Sequence, residues 1–341
     1  MKKWQLWLGI AISVVLIIWT VRGLDLRLLW EVLKKANYWW LVPGVVVYFL
    51  GVWARAWRWH YLLAPVKRLP TGQLFKVTTI GYFGNNVFPA RLGEVLRAFV
   101  LYMDEQVPVS ASLATIIVER VFDGVVMLAF VFLNLSELTR LTGDSGFLGS
   151  IRVLALAGSG VFLGALVIFL VAAMFPTRTE SIIEKIANRM LPERSRAKVM
   201  GVTQRFLGGL ASLRSPRMVL MIFLTSIVIW LFETMKYWFV MHAFSFQVSF
   251  YTLMLMNGIV NLATTIPSAP GYVGTFDKPG IAVLQAYGVD ANVAGAYTFV
   301  LHAALWLPVT LVGGWFMLLE LRKWNKSLSE VIAEGQAEVS K

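Results

Sequence analysis

The stretch NNVFPARLGEVLRA (85–98) carries charged side chains in an otherwise apolar part of the sequence. Arg91, Glu94 and Arg97 follow one another at intervals of three residues, loosely along one face of a predicted helix. Pro89 suits the first turn of that helix, because the N–H that proline lacks would be unpaired there. Arginine can bind a phosphate through two parallel hydrogen bonds, so this stretch has the chemistry to hold an anion.

A second charged stretch, IIVERVFDG (116–124), lies in the next apolar run. Glu119 and Asp123 are one helical turn apart and share a face, and Arg120 lies between them. Ionisable groups at membrane depth cost several kcal/mol unless they are paired or hydrated, and they usually face a functional cavity. Here the carboxylates could position arginines or carry coupling protons.

These charges favour an anionic partner, because the arginines outnumber the acids. Two further arginines, Arg55 and Arg58, occupy the preceding apolar run, so five arginines (55, 58, 91, 97 and 120) accompany three intramembrane acids (94, 119 and 123). The alternative is that the groups only pair with one another. That alternative would join Glu94 to Arg97, Glu119 to Arg91, and Asp123 to Arg55 or Arg58. Two amides that can cap a helix or bind a polar headgroup precede the arginines, Asn85 and Asn86.

A third stretch, PSAPGYVGTFDKPG (267–280), is rich in proline and glycine. Its glycines permit a positive φ or a close backbone approach, and Pro279 can begin a following half-helix. Asp277 and Lys278 are its only charges, and we expect them to pair across the site. The predicted turn residues of both stretches are Pro89, Gly93, Pro267, Pro270, Gly271, Gly274 and Asp277.

Composition places these stretches in a membrane. The 341 residues are 58% hydrophobic and 15% charged, and apolar runs of about 20 residues recur, the length that a helix needs to cross hydrocarbon. The fold class is therefore an all-α polytopic membrane protein. The net charge of +12 lies mostly in short loops, which fits membrane topology better than nucleic-acid binding. With no cysteine and three histidines far apart in sequence, we expect no metal and no cofactor.

Lysine and arginine set the predicted topology. Segment 176–217 carries nine basic residues against three acids and should be cytoplasmic, with two amphipathic helices broken at Pro192. These helices lie either on the membrane surface or against the protein's own cytoplasmic face. We expect a plasma-membrane protein with both termini in the cytoplasm. Two interrupted apolar stretches then enter and leave the membrane on the same side as re-entrant hairpins, 74–101 from the cytoplasm and 250–288 from outside. Six full spans complete the prediction: 4–21, 39–63, 111–135, 151–175, 218–242 and 291–319.

The two hairpins resemble each other at an offset of 178 residues. Pro89 then matches Pro267 and Gly93 matches Gly271, while Arg55 and Arg58 fall on Glu233 and Lys236. The opposite insertion of the hairpins predicts an inverted repeat in a single membrane domain (1–341), a design typical of secondary transporters. Its halves would be 1–140 and 150–320, joined around segment 176–217 and followed by a cytoplasmic tail, 321–341.

The three stretches NNVFPARLGEVLRA, IIVERVFDG and IPSAPGYVGTFD (266–277) resemble the transmembrane region of lysylphosphatidylglycerol synthases, a family also described as flippase-like membrane proteins. The resemblance covers about residues 10 to 320, with Ala269-Pro270 where glycine is common and Asp277 where glutamate is usual. It implies transfer of an anionic lipid or a lipid-linked precursor between leaflets. The synthases also carry a large soluble aminoacyl-transferase domain, and because only a short segment follows the last span here, that activity is not expected.

The predicted function is therefore a non-enzymatic, flippase-like transporter of an anionic phospholipid or a polyprenyl-phosphate-type lipid. Two rivals are a membrane-embedded lipid-phosphate transferase and a lipid-binding regulatory subunit. The sequence leaves open whether the protein forms a homo-oligomer.

Overall fold

The computed structural model describes residues 18, 22, 24–88, 92–142, 147–264 and 270–339. The side chains of residues 135–142, 147–155, 194, 270 and 326–339 are outside this description. Throughout the described ranges the regular structure is helical, which confirms the predicted class of fold.

Twelve α-helices make up the described chain. The first six are α1 (Leu26–Lys35), α2 (Leu41–Leu63), α3 (Thr71–Val87), α4 (Gly93–Glu105), α5 (Val109–Thr142) and α6 (Phe147–Met174). The other six are α7 (Pro176–Met190), α8 (Glu193–Gly209), α9 (Pro216–Met241), α10 (Phe250–Ala263), α11 (Asp277–Ala286) and α12 (Ala291–Val339).

Four helical segments of the described chain are long and apolar enough to cross a membrane, judged by length and composition. They correspond to four of the six predicted spans. The span predicted at 4–21 lies almost wholly outside the described residues, and the one at 111–135 lies in α5, where the charges lower the apolar character. The four segments are Tyr38–Leu63, Leu156–Met174, Pro216–Met241 and Ala291–Asn325. The count of six and the re-entrant course of the hairpins therefore stay predictions.

The first interrupted stretch forms two helices, α3 and α4, that pack against each other. The chain leaves α3 in an extended conformation at Phe88 (φ −102°, ψ 145°). Gly93 lies so close to α3 that a Cβ there would be 1.9 Å from the Gly81 carbonyl oxygen. Helix α4 begins at Gly93 as described, and the predicted start at Pro89 lies with Ala90 and Arg91 outside the described residues.

The second interrupted stretch forms α10 and α11, and the described part of the chain between them includes a 3₁₀ turn, Pro270–Tyr272. Gly271 and Gly274 have φ values of +69° and +79°, as predicted for these glycines. Tyr272 is also left-handed, with φ +60°. The following helix begins at Asp277, two residues before the predicted Pro279. Pro267 lies outside the described residues, as does the side chain of Pro270.

Helices α2 and α9 form an antiparallel pair in the middle of the bundle. Gly44 near the start of α2 lies against Val240 near the end of α9. At the other end of the pair, the Arg58 guanidinium donates to the Ser226 hydroxyl (2.5 Å). Small residues such as Gly44 let the two backbones approach closely.

Helices α2 to α5 and α9 to α12 pack in two matching sets. Within one set, α2 packs on α3, α3 on α4 and α4 on α5; within the other, α9 packs on α10, α10 on α11 and α11 on α12. Between the sets, α3 packs on α12 and α10 packs on α5. Each of these contacts in α2 to α5 therefore has a counterpart in α9 to α12.

Segment 176–217 forms the two predicted helices, α7 and α8, on either side of Pro192. Helix α8 packs on α5 and α7, so it covers part of the protein itself. Helix α7 has an exposed apolar face that includes Ile182, Ile186 and Met190. Of the two predicted placements, packing against the protein itself therefore holds for α8. Contact of α7 with the membrane surface stays a prediction.

Candidate functional site

The carboxylate of Asp123 on α5 lies among basic side chains from neighbouring helices. It accepts hydrogen bonds from Arg58 (2.7 Å) and Arg55 (3.1 Å) of α2, and from the indole N–H of Trp230 on α9 (3.1 Å). Arg120, one turn earlier on α5, lies 3.2 Å from the same carboxylate. The carboxylate therefore connects three helices, and the predicted pairing of Asp123 with Arg55 or Arg58 holds for both arginines.

Glu119 provides the second buried carboxylate of α5. It accepts a hydrogen bond from Arg97 of α4 (2.9 Å), and Arg58 Nε lies 3.7 Å away. The Arg97 guanidinium lies over the ring of Trp59, 3.5 Å from its centroid, which adds a cation–π contact. The alternative pairing of Glu94 with Arg97 is therefore wrong, since Arg97 turns toward α5. The pairing of Glu119 with Arg91 lies outside the described residues.

Glu94 instead lies beside Arg120, with Arg120 Nε 3.8 Å from Glu94 Oε1. This distance is too long for a hydrogen bond. The two side chains are 25% and 33% exposed, respectively, whereas Asp123 and Glu119 are each 1% exposed. Glu94 and Arg120 are thus the accessible end of a network that is otherwise closed.

Helix α9 contributes two further charges, Glu233 and Lys236. Arg55 donates to Glu233 (3.3 Å), and Lys236 forms an ion pair with the same carboxylate. Sequence reasoning noted this pair only as the counterpart of Arg55 and Arg58 at the 178-residue offset and did not place it in the site. The available signal was the depth of both charges in an apolar span.

We call these nine side chains the charged cluster. Its basic members are Arg55, Arg58, Arg97, Arg120 and Lys236, and its acidic members are Glu94, Glu119, Asp123 and Glu233. Five basic groups therefore face four acids. Glu233 and Lys236 add one charge of each sign, and the predicted member Arg91 lies outside the described residues.

A cavity of about 130 Å³ opens beside the charged cluster, and we call it the central cavity. Its wall includes Arg55, Glu94 and Arg120 from one set of helices, and Glu233 and Lys236 from the other. The interrupted helices also line it, through Asn85 and Asn86 on one side and Gly271 and Tyr272 on the other. The Asn86 amide donates to the Thr310 hydroxyl on α12 (2.7 Å).

Asp277 of the second turn pairs with His302 of α12 and not with the predicted Lys278. One carboxylate oxygen lies 2.8 Å from His302 Nδ1, and the other accepts the Gly274 backbone N–H (2.8 Å). His302 Nε2 lies 2.7 Å from the Gly271 carbonyl oxygen. Sequence reasoning missed His302, because a lone histidine in an apolar helix carries little signal.

Charges near the start of α3 and the end of α4 contact the end of α12. Asp104 accepts from Lys323 and from the Trp324 indole, both at 3.1 Å, and Lys76 pairs with Glu320 of α12. These contacts fasten the first pair of interrupted helices to the end of α12.

A neighbouring contact joins the start of α3 to the end of α4. Hydrogen bonds from Gln73 (2.5 Å) and Lys67 (2.8 Å) lower the pKa of Glu105 below its ordinary value, because both stabilise the carboxylate. Glu105 is therefore expected to stay ionised below neutral pH.

Fold and site together define a class: an all-helical membrane protein with a buried charged cluster beside a polar cavity. Residues 6–313 match the model of the lysylphosphatidylglycerol synthase TM region, so the chain belongs to that family. The predicted family resemblance is thereby confirmed.

Three similar proteins come from archaea. A UPF0104 membrane protein of Methanothermobacter thermautotrophicus is 25% identical over 82% of this chain and 83% of its own length. A UPF0104 membrane protein of Pyrococcus horikoshii is 24% identical over 95% of this chain and 98% of its own length. The third, named Glycosyltransferase AglD, from Haloferax volcanii, is 27% identical over 86% of this chain, which spans only 50% of that protein. No solved structure matches the chain.

Proposed function

We propose that the protein moves an anionic phospholipid or a lipid-linked precursor between the leaflets of a plasma membrane. The observation that carries this proposal is the position of Arg120 and Glu94. They are the partly exposed members of the charged cluster, and they line the central cavity between the two interrupted helix pairs. A lipid phosphate entering the cavity would meet Arg120 first.

The electrostatics of the cluster favour an anion over a cation at this place. Five basic groups face four acids, so one positive charge in the described cluster has no matching carboxylate. Arg120 holds Asp123 at 3.2 Å and contacts Glu94 only at 3.8 Å, so the edge of the guanidinium that faces Glu94 can donate to a phosphate. The planar guanidinium can then make two parallel hydrogen bonds to phosphate oxygens.

The packing of the interrupted helices supports a transport role. Pairings among α2 to α5 recur among α9 to α12, and α2 crosses α9 in antiparallel fashion. A two-fold axis in the membrane plane would produce this pattern, and it would relate the predicted halves as an inverted repeat. In secondary transporters with such repeats, substrate sites form where broken helices meet, and rocking of one repeat against the other alternates access.

Reconstituted vesicles can test the proposal. The protein should accelerate the transbilayer movement of a fluorescent phosphatidylglycerol, and Arg120→Gln should slow it by about tenfold or more, as expected from losing a charge-assisted phosphate contact of about 1.5–3 kcal/mol. Arg205→Gln is the matched control, since Arg205 is exposed on α8 and away from the cavity. Movement at the wild-type rate in Arg120→Gln would contradict the proposal. Binding without movement would favour the regulatory subunit.

A membrane-embedded transferase is the second candidate, and the name of the Haloferax volcanii relative favours it. In such an enzyme Glu94 could act as a general base on a lipid phosphate, because it is the most exposed acid on the central cavity. Formation of a glycolipid from a nucleotide-sugar donor, lost in Glu94→Gln, would support this candidate. Lipid movement without product formation would contradict the transferase and support the transporter.

A further inference from the structure

The imidazole of His302 lies between two hydrogen-bond acceptors. Nε2 is 2.7 Å from the Gly271 carbonyl oxygen, and Nδ1 is 2.8 Å from Asp277 Oδ1. The other carboxylate oxygen of Asp277 already accepts the Gly274 N–H. The phenyl ring of Phe276 lies over the imidazole, with 4.5 Å between centroids. The ring is therefore fixed on both edges and on one face.

Each hydrogen bond of the imidazole requires a proton between the ring nitrogen and its oxygen partner. A carbonyl oxygen only accepts, so Nε2 must carry a proton that it donates to Gly271. A second proton must lie between Nδ1 and Asp277, because a neutral Nδ1 and an ionised carboxylate would both present lone pairs. The pair therefore holds one proton more than an ionised aspartate beside a neutral histidine. That proton belongs to both side chains.

Loss of the shared proton must break one of the two contacts. If Nε2 keeps its proton, Nδ1 and the carboxylate repel each other, and α12 loses its hold on Asp277. If the proton stays on Nδ1, the Nε2 lone pair faces the Gly271 carbonyl, and the turn is released. Neither tautomer of the neutral ring satisfies both neighbours.

Backbone strain in the turn would favour a change of conformation once the turn is released. Gly271 and Tyr272 are consecutive left-handed residues, with φ values of +69° and +60°. That conformation is costly for a bulky side chain such as Tyr272, and it persists only when surrounding contacts impose it. The bond from His302 to Gly271 is one such contact. Since Gly271, Tyr272 and His302 line the central cavity, a change here would alter the cavity wall.

Other ionisable groups share the cavity, and they have partners of their own. The charged ones are Arg55 of α2, Glu94 of α4, Arg120 of α5, and Glu233 and Lys236 of α9. Each forms an ion pair within the charged cluster. The tyrosines are Tyr48 of α2, Tyr82 of α3 and Tyr272 of the turn. Among the described residues, Asp277 is the charged group within hydrogen-bond distance of His302.

We propose that Asp277 and His302 form a proton-binding site that holds the second turn closed against α12 while protonated and releases it when the proton leaves. The coupling of this proton to lipid movement rests on the proposed function above. Proton binding and release of the turn do not.

The absence of cysteine makes a direct test simple, because a single introduced thiol reports on one position. Val273→Cys places that thiol in the turn, between Tyr272 and Gly274. Its alkylation by N-ethylmaleimide is measured in detergent from about pH 5 to about pH 9, the range in which histidine sites titrate. The same cysteine is measured in an Asp277→Asn background, which corrects for the titration of the thiol itself.

Asp277→Asn is a proton-independent form of the closed turn. Its amide oxygen can accept from Gly274 N–H, and its amide N–H can donate to Nδ1, while Nε2–H still donates to Gly271. All three contacts are then satisfied by a neutral imidazole, without a shared proton. His302→Phe is the opposite variant, since its ring fills the same space without either hydrogen bond.

The expected result is a ratio of alkylation rates, Val273→Cys alone over Val273→Cys with Asp277→Asn, that rises with pH. The slope should reach up to about tenfold per pH unit, as for release of a single proton. When His302→Phe is added to Val273→Cys, alkylation should be fast. The ratio of its rate to that of Val273→Cys with Asp277→Asn should not change with pH. A ratio that stays flat with His302 present, or slow labelling in His302→Phe, would overturn the proposal. Because no lipid movement is measured, this outcome is separate from the fate of the proposed function.

Discussion

At the scale of single residues, the stability of the charged cluster depends most visibly on Asp123. Its carboxylate receives donors from Arg55, Arg58 and Trp230 and lies beside Arg120, and it is almost completely buried. Such a group is expensive to remove, because its partners remain buried without compensation. Replacing a buried ion pair by apolar groups can be neutral, but removing one partner alone is not.

We therefore expect Asp123→Asn to destabilise the protein by about 3–5 kcal/mol, the usual cost of breaking a buried pair. The measurement is thermal unfolding in detergent, read as a fall in Tm. Asp290→Asn is the matched control, because Asp290 is exposed and caps the start of α12 through Asn292 N–H (2.9 Å), a role that asparagine also fills. Equal Tm values for the two variants would show that the stability of the protein does not depend on the ion pairs of Asp123.

Spacing within a helix predicted some of these contacts and misled about others. The pairing of Asp123 with Arg55 or Arg58 follows from the need of intramembrane charges for partners. Glu94 and Arg97 were matched by their spacing of three, yet Arg97 packs on Trp59 and bonds Glu119. Spacing along one helix shows which side chains share a face. It does not show which neighbouring helix that face meets.

At the scale of elements, the close approach of α3 and α4 depends on glycine. A Cβ on Gly93 would lie 1.9 Å from the Gly81 carbonyl oxygen and 2.4 Å from the Asn85 nitrogen, so the two backbones would have to separate. Proline and glycine in the sequence predicted the break itself. The start of α4 at Gly93 could not be predicted, since it depends on how near α3 comes.

Gly93→Ala should consequently destabilise the first pair of interrupted helices by about 1–3 kcal/mol or more, the usual cost of overpacking. Gly72→Ala is the control in the same pair, because a Cβ on Gly72 would meet no atom within 4 Å. Proteolysis or thermal unfolding in detergent measures the difference. If the two variants unfold at the same temperature, the backbones are not in close contact at Gly93.

At the scale of the whole molecule, matching contacts in α2 to α5 and α9 to α12 make a prediction about topology. An inverted repeat requires the connection before α3 and the connection before α10 to lie on opposite sides of the membrane. Arg68 and Gln247 are exposed in these two connections.

Single cysteines at the two positions should accordingly react from opposite sides. In intact cells, a membrane-impermeant maleimide should label Gln247→Cys and should leave Arg68→Cys unlabelled until the membrane is permeabilised. The chain has no cysteine, so no background label competes. Labelling of both positions from outside would rule out the inverted arrangement.

The sequence offset of 178 residues was enough to align Arg55 with Glu233, because alignment needs only residue types and order. That the two side chains touch could not be predicted, since it depends on which neighbouring helix each side chain meets. The sequence makes Arg55 a candidate for the site and leaves Glu233 out. Only the crossing of α2 and α9 makes them partners.

If the predicted halves form an inverted repeat, the meeting of Arg55 with Glu233 has a consequence for the history of the chain. Two identical halves, assembled as a symmetric homodimer, would place the same residue on both sides of the axis. Arginine would then face arginine, or glutamate would face glutamate, in a nearly dry interior where like charges repel strongly. Once both halves belong to one gene product, each copy can change alone, and opposite charges can meet. This contact is therefore accessible to a duplicated and fused ancestor and closed to a dimeric one.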